Sequence, residues 1–285
     1  MADKKGIDIS RYQGSPDFAK LKNEVDFVIL QAGFGRYATQ KDSQFERGYA
    51  ECKKHGIPCG AYWFSYASST DEARQEAKAC MDVIAGKQFE YPIYFDIEGS
   101  ACSGDVYGKC KAFCGELEKA KYFAGIYISR SPAQQYLPAD VGNKYALWLA
   151  EYGGRLNWQG VVGMWQNSST GRFSGISGDV DTDICYVDYP ALIKAGGYNG
   201  FKAEPAQVLD KPEEAWYFFG MEKEPQAMRG LYGVKQRMKA KGYTYLDDTG
   251  GFGGGTEKAV NALLGEWGYV QNGVIGENFV KKVMK

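Results

Sequence analysis

The chain has 285 residues, which is enough for one enzyme-sized domain and a small second one. Its 34 Lys and Arg nearly balance its 35 Asp and Glu, giving a formal net charge of −1. Such a balance lacks the basic surface that duplex nucleic acid selects, so we expect no nucleic-acid partner. Its 21 Tyr each offer a flat apolar ring with a polar tip, a composition that favours contact with sugars.

No apolar run approaches the roughly 20 residues that a membrane span needs. The first ten residues also lack the apolar core of a signal peptide. The sequence therefore predicts no membrane insertion and synthesis in a cytoplasm without a Sec signal.

The cysteine and histidine content narrows the chemistry. Seven Cys without a CxxC pair predict free buried thiols rather than a disulfide framework or a zinc site. His55 is the only histidine, which excludes HExxH and other multi-histidine metal sites, and excludes a Ser-His-Asp triad unless His55 itself serves. We expect no metal and no cofactor, so carboxylates must carry most hydrolytic chemistry.

Eight short apolar runs predict eight strands. In chain order they span residues 6–10, 26–33, 57–65, 91–98, 122–129, 145–152, 161–166 and 179–186. The segments between the earlier runs have helical periodicity, as in residues 69–87, where apolar side chains share one face behind a capping Thr70. Strands that alternate with helices predict an α/β fold with parallel strands. The last three runs leave little room for helices, so the expected barrel is irregular.

The composition changes after about residue 195, where Gly, Pro and charged residues dominate without a clear period. We assign residues 1–195 to the barrel, 196–227 to a linker and 228–285 to a small helical domain. Within the last segment, a Gly-rich turn precedes a helix that we expect Thr256 to cap. One face of this helix carries Ala259, Val260, Leu263 and Leu264.

A pair of acids ends the fourth predicted strand. The two-residue period of a strand places Tyr94, Asp96 and Glu98 on one face. Two carboxyls so close at the end of a barrel strand raise the pKa of one of them, as a general acid requires. Glycoside hydrolysis uses one carboxylic acid to protonate the leaving oxygen and one carboxylate at the oxocarbenium centre. Two solvated acids at a surface strand end are the alternative.

Other strand ends carry the same chemistry. Asp8 lies in the first strand, and Asp179, Asp181 and Asp183 accompany the last one. In a closed barrel the first and last strands are neighbours. The sequence therefore predicts that these acids surround one cavity with those of the fourth strand.

The strand motifs are similar, in the correct order, to those of glycoside hydrolase family 25. The resemblance covers about residues 4–190 and rests on the motifs GIDISRYQG, GAYWF, YPIYFDIE, IYIS, LWLAEY, MWQ and GDVD. It implies an irregular (β/α)5(β)3 TIM-like barrel that cleaves the β-1,4 bond between N-acetylmuramic acid and N-acetylglucosamine with retention of configuration.

The resemblance also implies roles for individual residues. Glu98 corresponds to the general acid, and Asp96 to the group that stabilises the positive centre or positions the substrate N-acetyl group. Asp8 and Asp181 correspond to supporting acids. The residues that match recurrent groove positions are Tyr62, Tyr127, Trp148 and Gln166.

Two positions depart from the family pattern. Asn167 stands where an aromatic residue often follows the Trp-Gln pair, which puts one sugar-stacking contact in doubt. Asp183 stands where Asn is often found, which adds negative charge near Asp181.

Residues 228–285 resemble the helical type 1 peptidoglycan-binding module. Together the two resemblances imply bacterial peptidoglycan as the partner and the cell wall as the place of action, with an oligomer formed through the C-terminal module left open. A phage endolysin is the favoured setting, with a bacterial autolysin as the alternative. The competing functions are a non-catalytic glycan-binding protein, a chitinase-like hexosaminidase, and a Cys-dependent peptidase or amidase.

Overall fold

The computed structural model describes residues 3–202, 208–217 and 225–285, without the side chains of residues 225–229. The chain divides into two compact units, Met1–Glu204 and Pro205–Lys285. In the described ranges, no helix is long and apolar enough to cross a membrane.

The first unit is built on a closed barrel of eight strands in chain order. The strands are β1 (Lys4–Ile9), β2 (Phe27–Phe34), β3 (Cys59–Phe64), β4 (Ile93–Asp96), β5 (Ala124–Ser129), β6 (Ala146–Ala150), β7 (Met164–Gly171) and β8 (Val180–Cys185). Neighbouring strands from β1 to β7 pair in parallel, whereas β8 is antiparallel to both β7 and β1. The predicted irregular α/β barrel is confirmed.

Helices occupy the connections between the first six strands. The helices of this unit are α1 (Phe18–Leu21), α2 (Phe45–His55), α3 (Thr70–Ile84), α4 (Val106–Lys119), α5 (Arg130–Tyr136) and α6 (Tyr189–Gly196). The connections from β6 to β8 carry no α-helix. The unit therefore has five strand-helix repeats followed by three strands, as the spacing of the apolar runs predicts.

The expected cap of α3 is wrong by one residue. Ser69 is the N-cap, and its side chain accepts a hydrogen bond from the backbone N–H of Glu72. Thr70 is the first helical residue. Both residues are good capping types, so the sequence pattern alone did not separate them.

Strand alternation sorts the side chains of β4 between two cores. Ile93 and Phe95 belong to the layer between the barrel and its helices, where Phe95 stacks on Phe113 with ring centroids 4.4 Å apart. Tyr94 packs instead in the barrel interior, against Trp148. Asp96 shares the parity of Tyr94 and is 4% exposed. The same period that builds the core thus carries a carboxyl into the barrel.

All seven cysteines are free, as predicted, and only Cys102 is partly exposed. Burial raises the pKa of the Cys80 and Cys114 thiols, so both stay protonated.

The second unit is helical in its described residues. Its helices are α7 (Pro225–Ala240), α8 (Gly254–Glu266) and α9 (Glu277–Val283). Their apolar core includes the four residues predicted to share one face of α8, together with Leu231, Met238, Ile275 and Phe279. The expected linker, residues 196–227, lies partly outside the described residues.

One buried acid fixes the start of α9. Asp210 is buried, and its carboxylate accepts hydrogen bonds from the backbone N–H groups of Gly276, Asn278 and Phe279 at the start of α9. The cap expected of Thr256 is wrong, because Gly253 is the N-cap of α8. Thr256 lies in the first turn, and its buried hydroxyl has no hydrogen-bond partner within the described part of the chain.

Candidate active site

A cleft of about 240 Å³ opens at the carboxyl ends of the parallel strands. Every strand of the barrel contributes a side chain to it, and so does the turn after β1. The lining residues are Asp8, Ser10, Tyr12, Gln13, Gln31, Tyr62, Phe64, Asp96, Glu98, Tyr127, Trp148, Gln166 and Asp181. The eight residues singled out from the sequence all lie in this cleft, while their catalytic and binding roles stay predictions.

Five lining residues are not among these eight, and one of them is Phe64, the last residue of β3. Ser10, Tyr12 and Gln13 directly follow the first strand, and Gln31 lies within the second. A signal for Gln31 was present, since it is a polar residue inside the apolar run of β2 and is buried. A buried amide in a barrel strand needs partners or a ligand, which makes it a marker of a site.

The antiparallel strand β8 brings distant acids together. In the register of β1 and β8, Asp8 lies directly opposite Asp181. Like charges placed directly opposite on an antiparallel pair are destabilising. Burial and the Asp181 carboxylate together raise the pKa of Asp8 to about 8. At neutral pH this pair therefore retains a proton.

A hydrogen-bond relay fixes the Asp8 carboxyl. The Gln166 amide donates from Nε2 to Asp8 Oδ2 at 2.8 Å. The amide oxygen of Gln166 accepts from the Tyr127 hydroxyl at 2.9 Å and from the Tyr152 hydroxyl at 3.3 Å. The orientation of the amide is therefore determined, because its oxygen faces hydroxyl donors and its nitrogen faces an acid.

Asp183 lies behind this relay and is 1% exposed. Trp148 Nε1 donates to its Oδ1 at 2.8 Å, while its buried Oδ2 has no hydrogen-bond partner among the residues that the structure describes. Burial and the negative charge of Asp8 raise the pKa of Asp183. Asp183 therefore keeps its proton to a higher pH than an ordinary carboxyl does. The departure at Asp183 thus adds a proton-holding group behind the cleft.

Asp96 and Glu98 end the fourth strand. Asp96 is its last residue, and Glu98 precedes a 3-10 turn in which Gly99 has a φ of 54° that favours glycine. Burial, reinforced by Glu98, raises the pKa of Asp96. Burial and the Asp181 charge raise the pKa of Glu98, which is only partly buried. Glu98 is thus the more accessible of the two carboxyls. It also keeps its proton to a higher pH than an ordinary carboxyl does.

Lys109 of α4 fixes the segment that follows Glu98. Its side chain is completely buried, and no acid pairs with it among the described residues. The ammonium instead donates to three backbone carbonyls, those of Ala67 at 3.1 Å, Ala101 at 2.6 Å and Ser103 at 2.9 Å. It therefore ties the loop after β3 to the loop after β4.

Aromatic side chains build one wall of the cleft. The Tyr127 ring meets the Trp148 ring edge to face, with centroids 4.5 Å apart, and Tyr62 approaches Trp148 at 6.1 Å. Such rings give a flat apolar surface beside the acids. In the part of the chain that the structure describes, no group of three or more His, Cys, Asp or Glu residues could hold a metal ion.

Residues 7–176 match the family model of glycosyl hydrolases family 25, which covers more than half of the chain. The chain belongs to glycosyl hydrolase family 25. It is therefore a glycoside hydrolase, and its relatives include lysozymes and endolysins.

Three relatives of this family 25 hydrolase illustrate the match. Lysozyme M1 of Streptomyces globisporus is 26% identical over 203 residues, which are 62% of this chain and 65% of that protein. The CTP1L endolysin structure has a TM-score of 0.61 and 31% identity, covering 67% of this chain and 70% of that one. The modular autolysin LytC of Streptococcus pneumoniae, solved in complex with a synthetic peptidoglycan ligand, has a TM-score of 0.58 and 28% identity over 65% of this chain. This chain spans about half of LytC, 47% of its length.

Proposed function

We propose that the chain is an N-acetylmuramidase that hydrolyses the β-1,4 bond between N-acetylmuramic acid and N-acetylglucosamine in bacterial peptidoglycan. The observation that carries the proposal is the convergence of Asp8, Asp96, Glu98 and Asp181 in one aromatic-walled cleft of a family 25 barrel. The relatives described as a lysozyme, an endolysin and an autolysin with a peptidoglycan ligand support this choice of substrate.

Glu98 is the proposed general acid. A general acid must be protonated at the working pH and must reach the glycosidic oxygen. Burial and Asp181 raise the pKa of Glu98, while its partial exposure leaves it accessible from the cleft. When the glycosidic bond breaks, the Glu98 proton moves to the leaving sugar oxygen. The resulting carboxylate then takes a proton from the attacking water.

Asp96 is the proposed partner at the sugar ring. Its Oδ1 is buried and has no hydrogen-bond partner among the described residues. A buried acceptor without a partner is costly and gains stability when a ligand supplies a donor. The N–H of a 2-acetamido group is such a donor, and a carboxylate there also stabilises positive charge at the anomeric carbon.

The C-terminal unit is the proposed wall-binding module. Exposed aromatic side chains support this role, with Trp216 48% exposed and Tyr245 53% exposed. Rings of this kind suit sugar faces. The family match ends before this unit begins, so the proposal rests on the sequence resemblance of residues 228–285 and on these rings.

The substitution Glu98→Gln tests the catalytic assignment. The amide keeps the shape of the side chain but cannot supply the proton, so we expect the rate of glycan cleavage to fall at least about a hundredfold with the melting temperature nearly unchanged. Release of reducing ends from purified peptidoglycan is the measurement. Glu118→Gln, an exposed residue elsewhere on the barrel unit, is the matched control and should keep full activity. Activity of Glu98→Gln within a few-fold of wild type would contradict the assignment.

A further inference from the structure

The rim of the cleft carries a cluster of exposed and half-buried rings around one arginine, which we call the rim platform. It consists of Arg11, Tyr12, Phe34, Phe64 and Tyr66. The Arg11 guanidinium carbon lies 4.9 Å from the centroid of the Tyr12 ring and 5.3 Å from that of Phe34. Phe34 meets Tyr66 at 6.1 Å, and Phe64 meets Tyr66 at 5.2 Å. The five side chains thus form one continuous surface.

The rim platform is continuous with the cleft, because Tyr12 and Phe64 also line it. It is also exposed, with 78% of Tyr12 and 58% of Tyr66 accessible. Exposed apolar clusters of this kind, edged by polar groups, mark binding surfaces.

Local structure holds Arg11 and Tyr12 in place. Both lie in a 3-10 turn whose N-cap, Ser10, is linked to Gln13 by a capping box. The backbone N–H of Arg11 donates to the buried carboxylate of Asp42 at 3.1 Å. The Arg11 side chain donates to the Tyr12 hydroxyl at 3.1 Å and makes no ion pair with an acid of the described residues. Its planar guanidinium is therefore available to bind an anion.

The charges of the cleft indicate which part of a substrate Arg11 can bind. Four of the lining residues are acids and none is Lys or Arg, so the cleft disfavours a negatively charged substrate. Arg11 is not among the lining residues and stands outside the cleft mouth. It can meet only a group that projects away from the bound sugars. In peptidoglycan that group is the stem peptide, whose carboxylates remain charged while the lactyl carboxyl of muramic acid is consumed in an amide bond.

We propose that the rim platform binds the stem peptide of a muramic acid residue held in the cleft, with Arg11 pairing with a peptide carboxylate and the rings covering the apolar side chains. This inference rests on the proposed muramidase function. The platform would make the enzyme favour peptide-bearing glycan over bare glycan.

Equilibrium binding tests the proposal without cleavage. We would measure dissociation constants by calorimetry for Glu98→Gln and for the double variant Glu98→Gln with Arg11→Gln. The ligands are a muramyl disaccharide that carries its stem peptide, the same fragment with its peptide carboxylates amidated, and the peptide-free disaccharide. Arg74→Gln, an exposed arginine paired with Asp71 on α3, replaces Arg11→Gln as the matched control.

We expect Arg11→Gln to weaken binding of the charged peptide fragment about tenfold, as loss of a charge-assisted hydrogen bond does. The other two ligands should bind both variants equally, and Arg74→Gln should change nothing. An equal loss on the peptide-free disaccharide would assign Arg11 to the sugar carboxylate and overturn the peptide site. Equal affinities for every ligand would overturn the site altogether. Failure of the muramidase function appears separately, as absence of cleavage by the unsubstituted enzyme.

Discussion

Single carboxyls decide the chemistry of the cleft, and the most unusual carboxyl near it is Asp183, which is buried behind the lining residues. Burial raises its pKa and that of Asp8 above the value near 4 that carboxyls have in an unfolded chain. Folding therefore takes up protons at these residues. The stability they confer is fully present below about pH 4 and is lost as pH rises toward about 8, the pKa of Asp8.

The substitution Asp183→Asn should flatten this pH dependence. The amide oxygen can still accept from Trp148, but the amide carries no charge at any pH. We expect the variant to gain at least about 1.4 kcal/mol in free energy of unfolding at pH 8 relative to pH 4, compared with wild type, the equivalent of one pKa unit.

Urea unfolding at several pH values is the measurement for this variant. Asp179→Asn, an exposed residue paired with Arg172 just before β8, serves as the control and should follow the wild-type profile. A profile for Asp183→Asn as steep as that of wild type would show that Asp183 holds no proton in the folded state.

At the scale of elements, loops give the barrel its function, and Lys109 joins two of them. A buried ammonium with three carbonyl partners cannot be removed without leaving those carbonyls unsatisfied. We expect Lys109→Met to lower the free energy of unfolding by about 2–5 kcal/mol, and to lower the cleavage rate at temperatures where it remains folded, because Glu98 begins the tied loop.

Lys111→Met is the matched control, since Lys111 is exposed on the same helix. The measurements are the urea unfolding midpoints and the initial cleavage rates of both variants under the same conditions. Equal midpoints for the two variants would contradict the structural role of Lys109.

The sequence predicted the elements better than it predicted their junctions. Period-two patterns located the strands and placed Asp96 with Glu98, and ring closure predicted that β8 lies beside β1. The three carbonyl partners of Lys109 carry no sequence signature, because every residue has a carbonyl. The cap expected at Thr70 was wrong because Ser69, one residue earlier, is an equally good capping residue. The cap expected at Thr256 was wrong because α8 begins about one turn earlier, with Gly253 as its N-cap.

The residues in and around the cleft also differ in how well the sequence predicted them. The acids were predictable, because a carboxyl at the end of an apolar run is expensive to bury without a use. The rim platform was not, since Phe34 ends β2 while Phe64 and Tyr66 lie at and just after the end of β3, and the two groups meet only in the folded barrel.

At the scale of the whole molecule, we propose that one unit cleaves glycan and the other binds the cell wall. Every proposed catalytic acid lies in the unit Met1–Glu204. A chain ending at Glu204 should therefore cut soluble glycan fragments at nearly the full rate. On intact walls it should be weaker, since a tethered binding module raises effective concentration and can increase avidity by about 10²–10⁴.

The measurements are the cleavage rates of the full and the shortened chain on soluble and on insoluble substrate, and the melting temperature of the shortened chain. The fragment Pro205–Lys285 should also sediment with purified walls. Equal losses of cleavage rate on both substrates, with no sedimentation of the fragment, would contradict a wall-binding role. The C-terminal unit would then be a stabilising element.

The central claim is the identity of the bond that is cut, and mass spectrometry of the products tests it most directly. Purified peptidoglycan is digested with the full chain, the products are reduced with borohydride, and the reduced sugar is identified. We predict reduced N-acetylmuramic acid at the new ends, and none in the digest with Glu98→Gln. Reduced N-acetylglucosamine, or products with intact glycan and cut peptides, would contradict the account.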